Sequence, residues 1–336
     1  MIILAIESSC DDTGAAIIRN GKILSNVVSS QAIHGAFGGV VPELASRAHQ
    51  TNIVPVVEAA LNQANINKSQ LDAIAFTQGP GLLGSLLVGM TFSKAFALGL
   101  GVPIITVDHL HAHIAAHFID QDHAPKFPFL CLLVSGGHTL IIRVDDYLHY
   151  EIIGRTTDDA AGEAFDKAAK IMSLPYPGGP LIDKYAKEGN IHKYQFTEPK
   201  ISGLDFSFSG LKTAFLYFVR NNLQKDSNFL KDNLADICAS YQHRIVSYLL
   251  NQLQKASEET GIKEIGIAGG VAANSYLRAQ LTEKAKHFSW NVYIPDFQYC
   301  TDNAGMVAMS AHFKYEAGIF AEQNVGAYTR QGQMAK

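Results

Sequence analysis

Cysteine is scarce in this chain. Four residues in 336, Cys10, Cys131, Cys238 and Cys300, lie far apart and form no C-x-x-C. A disulfide framework is excluded, and the thiols fit a reducing, cytoplasmic compartment. Excess positive charge is missing too: the net charge is −4. That rules out a generally basic nucleic-acid binder, so any such contact must use a local patch or a partner subunit. No run of about 18 or more apolar residues suggests a membrane span. The opening MIILAIESSCDD is apolar but short for a signal peptide and has no basic leader. What remains is a hydrophobic content of 47% with 17% charged residues, and enough length for two domains.

The layout repeats. Ile2 to Glu7 reads as a strand, SSCDDTG as a turn, Ala15 to Arg19 as a second strand, and Asn20-Gly21 as a hairpin turn into Lys22 to Val28. A comparable meander follows: Phe129 to Val134, the turn SGGH, Thr139 to Val144, the turn Asp145-Asp146, then Tyr150 to Ile153. Each half continues with a long helix (about Pro42 to Gln63; about Leu234 to Thr260), a strand (LDAIAF; KEIGIA) and a glycine turn (TQGPG; GGVAAN). A helix, a short strand (PIITV; NVYIP) and another helix complete each half. The second half has an extra Gly-, Pro- and aromatic-rich stretch of about 174–231.

The segment VDHLHAHIAAHFIDQDH holds five histidines: His109, His111, His113, His117 and His123. Asp108 ends a β-branched strand and can cap the following helix. His109 and His113 then share one helical face. The positive helix end disfavours a charged imidazolium, and a metal needs a neutral one. Two ligands do not close a site. If the halves are facing copies, the His helix and the helix starting near Asp302 begin at equivalent places, at the crevice beyond the strand ends. His109, His113 and Asp302 then form a two-nitrogen, one-oxygen set with open positions, suited to Zn2+ or Fe2+.

Other motifs have two readings. Ser135-Gly136-Gly137-His138 is either a plain hairpin with glycines for positive φ or a nest of N–H groups for a phosphate or carboxylate. Gly269-Gly270, before a helix beginning near Asn274, fits a nucleotide on backbone. Tyr176-Pro177-Gly178-Gly179-Pro180 precedes a helix whose first turn holds Asp183. Gly79-Pro80-Gly81-Leu82-Leu83-Gly84 formally matches G-x-G-x-x-G, with Asp108 closing the next strand, as in a dinucleotide fold; a close helix–strand packing turn is the competing account. The aromatics of Gly203 to Gly210, beside Lys200 and Lys212, either stack bases or line the buried face of a strand.

ESSCDDTGAAI, PELASRAH, the His109/His113 pair, VSGGHT, GEAFDKAAK, YPGGP, DFSFSGLKTA, GGVAAN and TDNAGM occur in this order over nearly the whole chain. Together they resemble the universal tRNA threonylcarbamoyladenosine transferase family in its bacterial form, once described as a glycoprotein endopeptidase. The resemblance implies an α/β, duplicated actin-like (ribonuclease H-like) fold of two lobes with a central cleft: residues 1–108 plus 300–336 as lobe I and 109–299 as lobe II, with an insertion at about 174–231. It implies transfer of a threonylcarbamoyl group from threonylcarbamoyl-AMP to N6 of adenosine 37, in tRNAs reading codons that begin with A, with release of AMP. His109, His113 and Asp302 would hold one divalent metal, Fe2+ by the family's habit and Zn2+ as the alternative. Val134, Ser135, Gly136, Gly137, His138, Asp166, Gly179, Asp183 and Asn274 would bind the substrate. The implied partners are the tRNA anticodon loop, a metal-free paralogue and a small P-loop ATPase, with no membrane. Asp11 or Asp12 could take the amine proton; the family commonly carries Glu at the position of Asp12. Arg47, Lys167, Lys200 and Lys212 are candidate RNA-contacting cations. A metallopeptidase is disfavoured, because Leu110, His111 and Ala112 place no glutamate between the two histidines.

Overall fold

The structure, a computed structural model, describes residues 1–119, 121–199 and 201–330. Two compact units divide the chain: Met1–Ala124 with Pro295–Lys336, and Pro125–Ile294.

In the first unit, β1 (Ile2–Glu7), β2 (Thr13–Arg19) and β3 (Lys22–Ser29) form an antiparallel meander. After α1 (Pro42–Ala64), β4 (Ala73–Gly79) joins β1 in parallel; after α2 (Leu83–Leu100), β5 (Ile104–Asp108) joins β4. The sheet order is β3-β2-β1-β4-β5. Pro42 opens α1, where a missing N–H costs nothing, and Gly101 closes α2 in the left-handed conformation. β1, β2 and β4 are buried along nearly their whole length because both faces are covered, whereas the edge strand β3 is mixed and mostly half-buried. Leu4, Ile6, Ile17, Ile74 and Phe76 pack with Ile53 and Val57 of α1 and Met90 and Ala97 of α2. By length and a mean hydropathy of 1.5, α2 could cross a membrane, unlike what the sequence suggested. One face of it packs on β4 and α1, and a third of the helix is buried. The short α3 (His109–Ala115) continues directly from β5.

The second unit repeats the plan. β6 (Phe129–Val134), β7 (Thr139–Val144) and β8 (Tyr150–Arg155) form the meander. Next come α4 (Ala161–Ile171), α5 (Gly178–Ala186), α6 (Ser209–Leu223) and α7 (Phe229–Thr260). Then β9 (Glu264–Ala268) pairs in parallel with β6, α8 (Ser275–Phe288) follows, and β10 (Asn291–Tyr293) pairs with β9. The order β10-β9-β6-β7-β8 matches the first sheet strand for strand, with the same senses. The expected insertion supplies α5 and α6, which pack on α7. An aromatic cluster of Phe196, Phe215, Phe218 and Tyr241 fills that contact.

Two last helices, α9 (Phe297–Cys300) and α10 (Ala304–Glu316), return to the first unit. The changeovers between units therefore fall at 124/125 and 294/295, against the expected 108/109 and 299/300. The physical reason is packing: α3 lies on β4, β5 and α10, while α10 lies on β1, β2 and α3.

Candidate active site

The three expected metal ligands converge, but from one unit and not from two facing copies. Asp302 precedes α10, whose start is fixed by Asn303: its side chain accepts from Met306 N, while Asn26 Oδ1 accepts from Gly305 N at 3.0 Å. Asp108 caps α3, accepting from Leu110 N at 2.8 Å and His111 N at 3.0 Å, so His109 and His113 project from its first turns. Asp302 Oδ1 lies 3.4 Å from His109 Nε2 and 3.3 Å from His113 Nε2. One donor atom from each side chain falls within a 4.8 Å group, the geometry of a possible metal site. The two rings meet edge to face, 4.7 Å apart. His113 is 1% exposed; its Nδ1 has no hydrogen-bond partner, and its Nε2 meets the Asp302 carboxylate at 3.3 Å. Two buried imidazoles and a carboxylate converging within one small group are the donor set a divalent ion takes, so these residues fit a metal ion.

The electrostatics differ from the expectation of a neutral imidazole. Burial opposes charge on His109, but Asp302 and Glu7 outweigh it and hold its pKa well above the usual histidine value. The dipole of a seven-residue helix is a weaker influence than two carboxylates in contact. The same attraction overcomes burial at Asp302 and Glu7, whose pKa values lie below the ordinary carboxylate range.

Asp11 and Asp12 sit on the turn between β1 and β2. Burial, aided by Asp302, Asp11 and Glu7 and opposed by a hydrogen bond from Ser30, pushes Asp12 up to about 7. His49, from PELASRAH, braces this turn. Its Nε2 donates to Cys10 O at 3.0 Å, and its Nδ1 accepts from Thr13 Oγ1 at 2.8 Å. Burial lowers the His49 pKa, consistent with that neutral tautomer.

In the second unit Val134 to His138 end and follow β6, Asn274 follows the turn after β9, and Asp166, Gly179 and Asp183 lie on α4 and α5. Val134 ends β6, and a Cβ on Gly269 would lie 2.5 Å from Val134 O, so only glycine lets the two turns meet. Ser135 N donates to His138 O at 2.8 Å, and His138 N to Ser135 Oγ at 3.1 Å. Neither Gly136 nor Gly137 has positive φ, and a Cβ on either would meet nothing within 4 Å. Backbone conformation therefore does not call for these glycines, and the space where a Cβ would stand is open at both. Asp166 accepts from Gly178 N at 2.8 Å and Gly179 N at 3.3 Å, anchoring the start of α5. From α5, Asp183 accepts from Ser275 Oγ at 2.9 Å and Ser275 N at 3.2 Å. Asn274 caps α8 through Leu277 N and donates to Gln242 at 2.7 Å.

Other readings are settled by packing. Added Cβ atoms on Gly79, Gly81 and Gly84 would lie 2.1 Å from Tyr328 O, 2.4 Å from Ser9 O and 2.3 Å from Ser46 Oγ, so the G-x-G-x-x-G turn is filled by the unit's own atoms. Phe206 and Phe208 are fully buried and stack 6.3 Å apart, so they are core aromatics and not base platforms. Arg47 pairs with Glu43, and Lys167 with Asp159 and Glu163; Lys212 is 4.0 Å from Asp159. Lys200 lies outside the described residues.

The family model TsaD, tRNA N6-adenosine threonylcarbamoyltransferase, matches residues 22–309. The chain belongs to this family. Relatives of that name from Christiangramia forsetii and Riemerella anatipestifer are 56% and 57% identical to it, each alignment covering 98% of this chain and 97% of theirs. Among solved structures, HypF from T. kodakarensis superposes with a TM-score of 0.65 at 14% identity, over 94% of this chain and 48% of its own. Component A of the (R)-2-hydroxyglutaryl-CoA dehydratase of Acidaminococcus fermentans gives 0.55 at 15% identity, over 94% and 99%. These likenesses show the two-lobe α/β fold.

Sequence reasoning passed over the supports of this family's histidine pair. Glu7 and Ser9 meet His109, Thr77 donates to Glu7, and Tyr328 OH donates to Asp108 Oδ2. The signal for Glu7 was available: a carboxylate at the inner end of an otherwise apolar strand needs a buried partner.

Proposed function

We infer that this chain transfers a threonylcarbamoyl group from threonylcarbamoyl-AMP to N6 of adenosine 37 in tRNAs that read codons beginning with A, releasing AMP. Membership of the tRNA N6-adenosine threonylcarbamoyltransferase family carries the reading. The convergence of His109, His113 and Asp302 supports it chemically.

The exocyclic amine of adenosine is a poor nucleophile, and the carbamoyl carbon is a modest electrophile. The turns at Gly136-Gly137 and Gly269-Gly270 suit the phosphate of the adenylate as its charge changes, since glycine carries no side chain to shield its N–H. Val134, Ser135, His138, Asp166, Gly179, Asp183 and Asn274 shape and orient that anchor. Asp12 is the better candidate of the two acids for the amine proton. A carboxylate poised at about 7 is half ionised at neutral pH and strong enough to accept it. His109, His113 and Asp302 hold one divalent ion, Fe2+ or Zn2+, which supplies Lewis acidity and positive charge when bound. The net charge of −4 fits RNA binding shared with partners, a metal-free paralogue and a small P-loop ATPase, in the cytoplasm.

The test combines the chain and its partners with threonine, bicarbonate, ATP and undermodified tRNA, followed by mass spectrometry of the nucleosides. Threonylcarbamoyladenosine is expected from the wild type and is strongly reduced with His109→Ala. No product from the wild type would refute the transferase reading. Equal product from His109→Ala would remove the metal from it.

A further inference from the structure

Glu7 is fully buried and is not itself a proposed ligand of the ion, yet its carboxylate lies against His109 on the Nδ1 side of the ring. Its Oε1 accepts from Ser9 N at 2.5 Å. Its Oε2 accepts from Thr77 Oγ1 at 2.6 Å and lies 3.3 Å from His109 Nδ1. An ionised carboxylate only accepts, so the atom of His109 that faces it must carry a proton. Nε2, which lies 3.4 Å from Asp302 Oδ1, is then the nitrogen that gives up its proton when a metal binds.

We propose that Glu7 is a positioning residue for the metal centre: its buried carboxylate, held by Ser9 N and Thr77 Oγ1, fixes His109 as the Nδ1–H tautomer and aims Nε2 at the ion. Outer carboxylates of this kind orient ligating imidazoles and raise their basicity, and their loss typically weakens metal binding by about 10–100-fold. Ser9 Oγ, 3.2 Å from the same Nδ1, gives a second contact on that side of the ring. The geometry also says why an amide cannot substitute. In Glu7→Gln, an NH2 at the Oε1 position would oppose Ser9 N–H. At the Oε2 position it would face Thr77 and His109, driving the imidazole proton to Nε2, where it blocks the ion. The proposal rests on His109, His113 and Asp302 being the ligands.

The test uses Zn2+ as probe on the full chain, apart from any tRNA assay. Chelator competition should show Glu7→Gln binding Zn2+ about 10–100-fold more weakly than wild type. Thr77→Val keeps the carboxylate and should lose less. In the Zn2+-loaded wild type, NMR of 15N-labelled histidine should show His109 coordinating through Nε2, with a downfield, slowly exchanging Nδ1–H. That measurement needs no variant, so it decides even if Glu7→Gln fails to fold. Zn2+ affinity within twofold of wild type in a folded Glu7→Gln protein would overturn the proposal. So would coordination through His109 Nδ1. A wild-type chain that binds no Zn2+ overturns the ligand assignment beneath it, whereas normal binding with no transfer to tRNA touches only the proposed function.

Discussion

Replacing Asp12 with Asn should stabilise the folded chain, and more so as pH rises. Asp12 is pushed from 3.8 to about 7, chiefly by burial and then by Asp302, Asp11 and Glu7. A carboxyl whose folded pKa is raised carries no penalty below its unfolded value. Stability is lost as pH rises from there through the folded value, because the unfolded chain ionises first. Each unit of difference is worth about 1.4 kcal/mol, so the roughly three units here amount to about 4 kcal/mol above neutrality. At about pH 5 the same relation leaves a penalty of only about 1.5–2 kcal/mol. Asparagine is neutral at both pH values and removes it. Denaturant unfolding of the metal-free protein should therefore show Asp12→Asn gaining about 2–3 kcal/mol more over wild type at about pH 8 than at about pH 5. A stability difference that stays constant between the two conditions would refute the reasoning, since neither shape nor packing titrates. If Asp12 is also the base, the transfer rate of the wild type should rise through an apparent pKa near 7, and the variant should lose both that limb and most of its activity.

Gly137→Ala should fold as well as wild type or better, by up to about 1 kcal/mol, because its φ is ordinary and a Cβ there meets nothing. Steady-state kinetics should nevertheless show a raised KM for the adenylate donor, and an unchanged KM would remove the turn from the donor site. Tyr328→Phe takes the hydroxyl donor from Asp108, the cap of α3, and should destabilise the first unit by about 1.5–3 kcal/mol in thermal or denaturant melts. Metal affinity, read by chelator competition, should fall with it, as the helix bearing His109 and His113 loses its anchor.

The two meanders were legible because short apolar, β-branched runs and Asn20-Gly21 are local signals, and their repetition exposed the duplication. His109 and His113 were legible as a pair because four residues bring side chains to one helical face. Asp302 needed the repeat to be linked with them, and the structure does place it beside the pair, though not for the reason the repeat suggested. It placed the ligands on opposing copies, whereas α3 and α10 pack on each other within one unit. The ambiguity of the glycine motifs had a physical source. Gly79, Gly81 and Gly84 look like a phosphate cradle by spacing, yet Tyr328 and Ser46, distant in sequence, fill the space; Gly136 and Gly137 look like a hairpin, yet need no special φ.

By itself the sequence determined the elements, their duplicated order, the family and the identity of the chemically capable side chains, since all of these depend on local pattern or on residue type. Only the tertiary structure decided which charges act on one another. Glu7, Asp12, His49, Thr77 and Tyr328 acquire their protonation or their roles from groups tens to hundreds of positions away. Burial and contact set a pKa and a tautomer, and neither is written in the spacing of residues along a chain.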